Sequence, residues 1–364
     1  MTQTPKISMI MSVYNGQDYL REAIDSILAQ SFQDWELIVI DDCSTDGTGE
    51  ILDQYAARYD RIRVYTNEVN LRLPSSLNKA ISYARGRYIA RMDADDICLP
   101  DRLEKQFAFM EGNSDVALSS CRFMTLKNGV VASGGCGGRC DHNSVKALLL
   151  VTNPILHPGI IAKADVIKRL GYDKNFTCTE DMELWTRFVM EGYQVQVQPE
   201  YLMIYRLHDK QITATTLERQ HNEVLAIQKK FYAKFLEPMT EELENIYIHG
   251  IYFRENISVT QFFEFSRWVR SQNGKKGSFD RESLFYALLE ILAEYKRTGL
   301  SKVNLIRAML SFDPVFLMKE VPGRKKRARA DGQKCIAAAR AFGLERSGGT
   351  DEFPVFSKRY DIGV

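Results

Sequence analysis

Asp93-Ala94-Asp95 puts two acidic residues one apart, directly after the apolar run Tyr88-Ile89-Ala90-Arg91-Met92. Two hard oxygen donors at that spacing suit Mg²⁺ or Mn²⁺, ions that usually bridge to a phosphate. Side chains alternate along a strand, so Asp93 and Asp95 are expected on one side, with Ala94 turned away. Taken alone, the same pair also fits a solvated turn that caps the helix-like segment opening at Pro100. Two further acidic pairs stand at comparable places. Asp41-Asp42 follows Leu37-Ile38-Val39-Ile40, and Glu180-Asp181 precedes a segment that repeats Leu184, Trp185 and Phe188 at helical spacing. Carboxylates favour a helix N-terminus electrostatically, which also holds them rigidly.

The elements that position these groups alternate through the first hundred residues. Strands are predicted at 7–13, 37–40, 62–65 and 88–92, with helices over 18–30, from the loop 43–47 through Tyr55, and over 75–84. Such a β-α-β-α-β order implies a largely parallel sheet with right-handed crossovers. Open sheets of this kind bind ligands at the carboxyl ends of their strands. Tyr14-Asn15, Asp41-Asp42 and Asp93–Asp95 are therefore expected to converge on one cleft. From 101 to about 215 the pattern loosens, with a Gly-rich stretch at 134–138, a strand after His157-Pro158-Gly159 and a late strand at 202–207. Beyond 216 the composition is helical to about 318, and a basic run occupies 324–329.

Composition narrows the class. A chain of 364 residues with 45% hydrophobic and 26% charged residues reads as a soluble globular protein, long enough for two domains or for one large domain with an appendage. A formal charge of +1 carries no nucleic-acid signal. Apolar runs such as 145–151 stop within about seven residues, far short of the ~20 a membrane span requires. The polar start carries no signal peptide. Seven scattered cysteines fit reduced thiols in a cytosol. Cys136, Cys140, His142 and Cys178 lack paired zinc-ligand spacing, which argues against a zinc site.

Four motifs in order, Pro5 to Asn15, Asp41 to Thr48, Asp93 to Asp96 and Glu180-Asp181, closely resemble those of the family 2 glycosyltransferases. The match covers roughly residues 5–210. It implies a GT-A fold of mostly parallel central sheet flanked by helices, here with a C-terminal helical region. The stretches 70–80, 88–100 and Tyr205-Arg206-Leu207-His208 with Gln211 look most like bacterial lipopolysaccharide β-1,3-N-acetylglucosaminyltransferases. The resemblance implies a UDP-sugar donor, a glycan or lipid-linked glycan acceptor and Mn²⁺ or Mg²⁺. It assigns the uracil N–H to Asp42 with Asp41 beside it, and base stacking to Tyr14, with Ser12 and Asn70 as polar neighbours. Asp93 is expected near the ribose or the metal, and Asp95 at the metal with His208. Arg206 is expected at the pyrophosphate, Asp181 as the base and Glu180 as the group that orients base or acceptor. Proton abstraction of this kind typically contributes about 10²–10⁴-fold.

Two departures stand out: Cys43 where the family usually has Gly, and Leu71-Arg72-Leu73 in place of the commoner Asn-x-Gly. The Q-x-x-R-W motif of processive synthases is absent, which argues for adding one sugar. A nucleotidyltransferase and a non-catalytic paralogue in a polysaccharide assembly complex are the competing readings. A dehydrogenase is disfavoured, because the first βα turn lacks G-x-G-x-x-G. The expected organisation is a catalytic domain over 1–215, divided at about 100 into nucleotide and acceptor halves, then a helical region over 216–320 and a basic tail over 321–364. Apolar Phe312, Val315, Phe316 and Leu317 before Arg324, Lys325, Lys326, Arg327 and Arg329 suit reversible docking on the anionic inner membrane.

Overall fold

The computed structural model describes residues 4–134, 141–208, 217–253, 258–295 and 333. The described residues fall into two compact units, one of 4–134 with 155–208, the other of 141–154 with 217–295. Cys136, Cys140 and the basic run with its apolar neighbours lie outside the described residues. No described helix is long and apolar enough to cross a membrane.

The first unit opens with β1 (Ile7–Val13), α1 (Leu20–Leu28), β2 (Trp35–Asp41), α2 (Thr48–Arg58), β3 (Ile62–Thr66), α3 (Arg72–Tyr83) and β4 (Tyr88–Arg91). Strands β1 and β2 are mostly apolar along their length, broken by Ser8, Ser12, Glu36 and Asp41, because helices cover both faces of a parallel sheet. Every residue of β2 is buried, and so is every residue of β1 except half-buried Ser12. Helix α1 turns Leu20, Ala23, Ile24 and Ile27 into that core. Gly86 leads into β4 where only glycine fits: a Cβ there would lie 2.5 Å from the Ser8 backbone nitrogen.

The unit continues with β5 (Ile97–Cys98), α4 (Arg102–Gly112), β6 (Val116–Lys127) and β7 (Val130–Gly134). After these come β8 (Ile161–Lys163), α6 (Ala164–Leu170), α7 (Glu180–Met190) and β9 (Gln194–Arg206). The sheet runs β3-β2-β1-β4-β8-β6-β9-β5, with β7 beside β6. Strands β1 to β4 are mutually parallel. Beyond β4 the sheet is mixed, since β8 runs antiparallel to both β4 and β6, and β5 antiparallel to β9. Because β9 is parallel to β6, its direction matches β4. The carboxyl ends of β1, β2, β4 and β9 therefore share one edge, which carries Tyr14, Asp42, Asp93 and His208.

In the second unit α5 (His142–Leu148) joins α8 (Leu217–Phe235), α9 (Glu241–Asn245), a π-helical turn (Ile246–Tyr252), α10 (Val259–Lys276) and α11 (Arg281–Tyr295). Tyr232, Tyr247 and Phe265 form its buried aromatic centre. The Tyr232 hydroxyl donates to the Leu150 carbonyl (2.9 Å), and Lys146 Nζ to that of Ser278 (2.7 Å). These bonds explain why 141–154, expected in the acceptor half, pack with the helices that follow 216.

Candidate active site

The loops after β1 and β2 are stitched together by short polar side chains. The Asn15 amide donates to Ser44 Oγ (2.9 Å), the Thr45 amide to Asn15 Oδ1 (2.8 Å) and the Gly16 amide to Thr48 Oγ1 (2.9 Å). This leaves the Tyr14 ring 52% exposed at the sheet edge, next to half-buried Ser12. Both carboxylates behind it are buried. Asp41 Oδ1 accepts the Ser44 amide (3.0 Å). Asp42 Oδ1 accepts Asn67 Nδ2 (2.7 Å) and the Leu71 amide (2.8 Å). Asn70 instead folds its carboxamide onto the Arg72 amide (3.1 Å), so Asn67 is the neighbour that reaches Asp42. Asn67 is held in turn by Lys79 (2.7 Å) and Ser76 (2.9 Å). Cys43 and Arg72 have φ of 66° and 69°. Left-handed backbone is where glycine is cheapest, so glycine suits both positions, and nothing in the structure explains the Cys and Arg found there.

The second acidic site differs in construction. Strand β4 ends at Arg91, so Asp93-Ala94-Asp95 lies in the turn beyond it and strand alternation does not set its geometry. Ligand oxygens of Asp93, Asp95 and Asp96 nonetheless lie within 4.8 Å of one another. Arg91, only 2% exposed, forms an ion pair with Asp93. Asp96 is completely buried: Oδ1 accepts the Arg206 amide (2.9 Å), and Oδ2 has no hydrogen-bond partner. Burial, offset in part by Arg91 and reinforced by Asp95, raises Asp93 to about 6. Burial, then the charges of Asp95 and Asp93, pushes Asp96 well above the ordinary carboxylate range. An unsatisfied buried oxygen among like charges is relieved either by a proton or by a cation. The site thus fits a hard divalent ion, with Asp95 and Asp96 to hold it.

His208 and Arg206 approach from the end of β9. His208 Nε2 meets Asp95 Oδ2 at 2.9 Å, and its ring lies 5.2 Å from that of Tyr19. The compact ligand group consists of the three carboxylates, and His208 joins it through Asp95. Arg206 Nε donates to the Asp95 carbonyl (2.9 Å), its guanidinium lies 4.6 Å over the Tyr19 ring, and it is ion-paired to Glu22.

Glu180 and Asp181 open α7. Asp181 Oδ1 accepts the Met182 amide (2.6 Å). Its charge is felt at Asp93, Glu180 and Tyr172, which ties this pair to the metal-type cluster. Glu180 is buried, and burial together with Asp181 raises it to about 8. His157 Nδ1 lies 3.7 Å from Glu180 Oε1, and His157 Nε2 meets the Tyr172 hydroxyl at 2.7 Å. Burial, with Arg91 nearby, holds the imidazole neutral. Asp96, Asn67, Arg91, His157 and Tyr172 were not among the expected site residues. An arginine inside an apolar strand was a readable signal, because such a charge needs a partner.

A glycosyltransferase of GT-A architecture is the class that this sheet and its acidic edge define. Residues 8–131 match the sequence profile of Glycosyl transferase family 2. The chain is 40% identical over 199 residues to EpsE of Bacillus subtilis strain 168, named as a glycosyltransferase, spanning 53% of this chain and 70% of that one. It is 34% identical over 217 residues to the O-antigen biosynthesis glycosyltransferase WbnJ of Escherichia coli, spanning 58% and 83%. Among solved structures it resembles S. aureus TarS 1-349 in complex with UDP-GlcNAc, with a TM-score of 0.53 at 15% identity over 93% of this chain and 91% of that one, a likeness of fold. This chain belongs to glycosyltransferase family 2.

Proposed function

We propose that the protein transfers a hexose or N-acetylhexosamine from a UDP-sugar to a glycan hydroxyl in bacterial surface-polysaccharide synthesis, inverting the anomeric centre in one displacement. The observation that carries this reading is the close group of Asp93, Asp95 and Asp96 at the carboxyl edge of the sheet, with the Glu180-Asp181 pair near enough for its charge to act on Asp93. N-acetylglucosamine is the favoured sugar, supported by the subfamily likeness and by the nucleotide sugar held by TarS.

In this reading Tyr14 stacks on uracil and Asp42 accepts its N–H, with Ser12, Asp41 and Asn70 around them and Asp93 near the ribose. Asp181 takes the proton of the acceptor hydroxyl. The hydroxyl oxygen bonds to the anomeric carbon as the bond to the diphosphate breaks, and that electron pair leaves with UDP. Mn²⁺ or Mg²⁺ held by Asp95 and Asp96, with His208 behind Asp95, would supply countercharge to the departing diphosphate. Arg206 contacts the pyrophosphate after exchanging Glu22 for it. Glu180, neutral below about pH 8, orients Asp181 or the acceptor by donating a hydrogen bond. A lipid-linked acceptor would set the reaction at the cytoplasmic face of the inner membrane.

The test is a screen of UDP-sugars with Mn²⁺ and lipopolysaccharide or capsule fragments, read by UDP formation and by NMR of the product. An α-configured donor is expected to give a β linkage, with UDP release abolished by chelation. An α-linked product, or nucleotide chemistry without sugar transfer, would contradict the proposal.

A further inference from the structure

Arg102, the first residue of α4, is completely buried, and so is Gln106 one turn later. Among the described residues no carboxylate pairs with Arg102. Its guanidinium is spent on chain segments that flank the site. Nη2 donates to the carbonyls of Arg91 (2.7 Å) and Ile160 (3.4 Å). Nη1 faces three sulfurs, Met203 Sδ (2.8 Å), Cys98 Sγ (3.1 Å) and Met92 Sδ (3.5 Å). Nε donates to Gln106 Oε1 (3.0 Å), and Gln106 Nε2 continues to the Gly159 carbonyl (2.7 Å).

These partners are not scattered. Arg91 and Met92 immediately precede Asp93, Cys98 follows Asp96 by two residues, and Met203 lies on the strand that delivers Arg206 and His208. Gly159 closes the turn that carries His157 against Glu180. Arg102 thus grips the acidic loop on both flanks and the strand that delivers Arg206 and His208, and through Gln106 it reaches the turn that carries His157. Burying an ion costs several kcal/mol even after relaxation, so an apolar filler would be the cheaper way to occupy this space. What a filler lacks is a set of donors at fixed angles, which arginine has and lysine does not.

We propose that Arg102 and Gln106 are positioning residues: Arg102 sets the spacing of the metal-binding carboxylates, and Gln106 couples that loop to the turn that seats Glu180 and Asp181. This rests on the metal-assisted transfer proposed above. It is tested with full-length Arg102→Lys and Gln106→Met, using Mn²⁺ binding followed by electron paramagnetic resonance and steady-state kinetics, both normalised to the folded fraction from circular dichroism. Loss of an outer partner typically weakens metal affinity about 10–100-fold. Arg102→Lys is expected to weaken Mn²⁺ binding at least tenfold. Gln106→Met is expected to leave Mn²⁺ binding and donor KM within twofold of wild type while kcat falls about tenfold or more, as expected when a reacting group is displaced by a fraction of an ångström.

Wild-type Mn²⁺ affinity and kcat per folded Arg102→Lys molecule would show that the fork is only structural. If Arg102→Lys does not fold, the kcat-against-KM split of Gln106→Met decides, and an unchanged kcat overturns the coupling. Wild-type protein that binds no Mn²⁺ removes the metal reading, and this inference falls with it.

Discussion

The two acidic clusters on the sheet edge are built on opposite plans. Asp42 Oδ1 already receives Asn67 and the Leu71 amide, and Asp41 Oδ1 receives Ser44, so these carboxylates are held by donors from the protein itself. Asp93, Asp95 and Asp96 crowd together with one buried oxygen left bare and two of the three raised by burial and by one another. A carboxylate satisfied in advance is a rigid acceptor that can read a fixed pattern on a base. A cluster short of positive charge fits a cation, the role proposed for it above. The contrast follows from local geometry, because both clusters sit at the ends of parallel strands.

If that division is right, damage to each region has its own signature. The largest effect is expected from Asp181→Asn beside the second cluster, which keeps size and removes the proton acceptor. Transfer should fall by at least ~10²-fold while UDP-sugar affinity, measured by calorimetry, survives. Loss of donor binding instead would move Asp181 to the nucleotide side of the comparison. A smaller effect is expected at the first cluster. Asn67→Ala takes a donor from Asp42, and a hydrogen bond to a charged group is worth about 1.5–3 kcal/mol. Donor KM should rise about tenfold with little change in kcat, and a kcat defect at constant KM would blur the two regions.

A third effect is one of pH. Burial, then Asp181, raises Glu180 from 4.5 to about 8, so the folded protein holds that proton more tightly than the unfolded chain. The stability this contributes is complete below about pH 4.5 and is lost as pH rises toward 8. Glu180→Gln should therefore flatten the decline of Tm between pH 5 and 8, measured without metal. Parallel Tm profiles for variant and wild type would show that Glu180 carries no such shift.

The first hundred residues were largely legible in the sequence, because mostly apolar runs and amphipathic helices are local signals. Strand β1 was expected at its observed bounds, and the ends of β2 and β4 shifted by no more than two residues. The second half was not legible to the same degree. Strand β9 runs over Gln194–Arg206, yet only its apolar end was anticipated; the alternation of Gln194, Gln196 and Gln198 with Val195 and Val197 is a local strand signal that went unread. The antiparallel turn of the sheet at β8 rests on non-local pairing. Within the site, the Asp93-Ala94-Asp95 pair stood out by its spacing, and the other carboxylates were named through the family resemblance. Their supports could not be named, because charged and amide side chains such as Arg102 and Gln106 are usually exposed, and Asn67, His157 and Tyr172 gain their roles from partners far along the chain.

The claim that one acidic cluster is a cation site and the other is not can be put to a single titration. Mn²⁺ binding to wild type, Asp95→Asn and Asp42→Asn, each saturated with UDP and checked for folding, should show one ion per chain in wild type. That ion should be lost in Asp95→Asn and kept in Asp42→Asn wherever UDP still binds. Undiminished binding in Asp95→Asn, or equal loss in the two variants with UDP bound, would contradict the account.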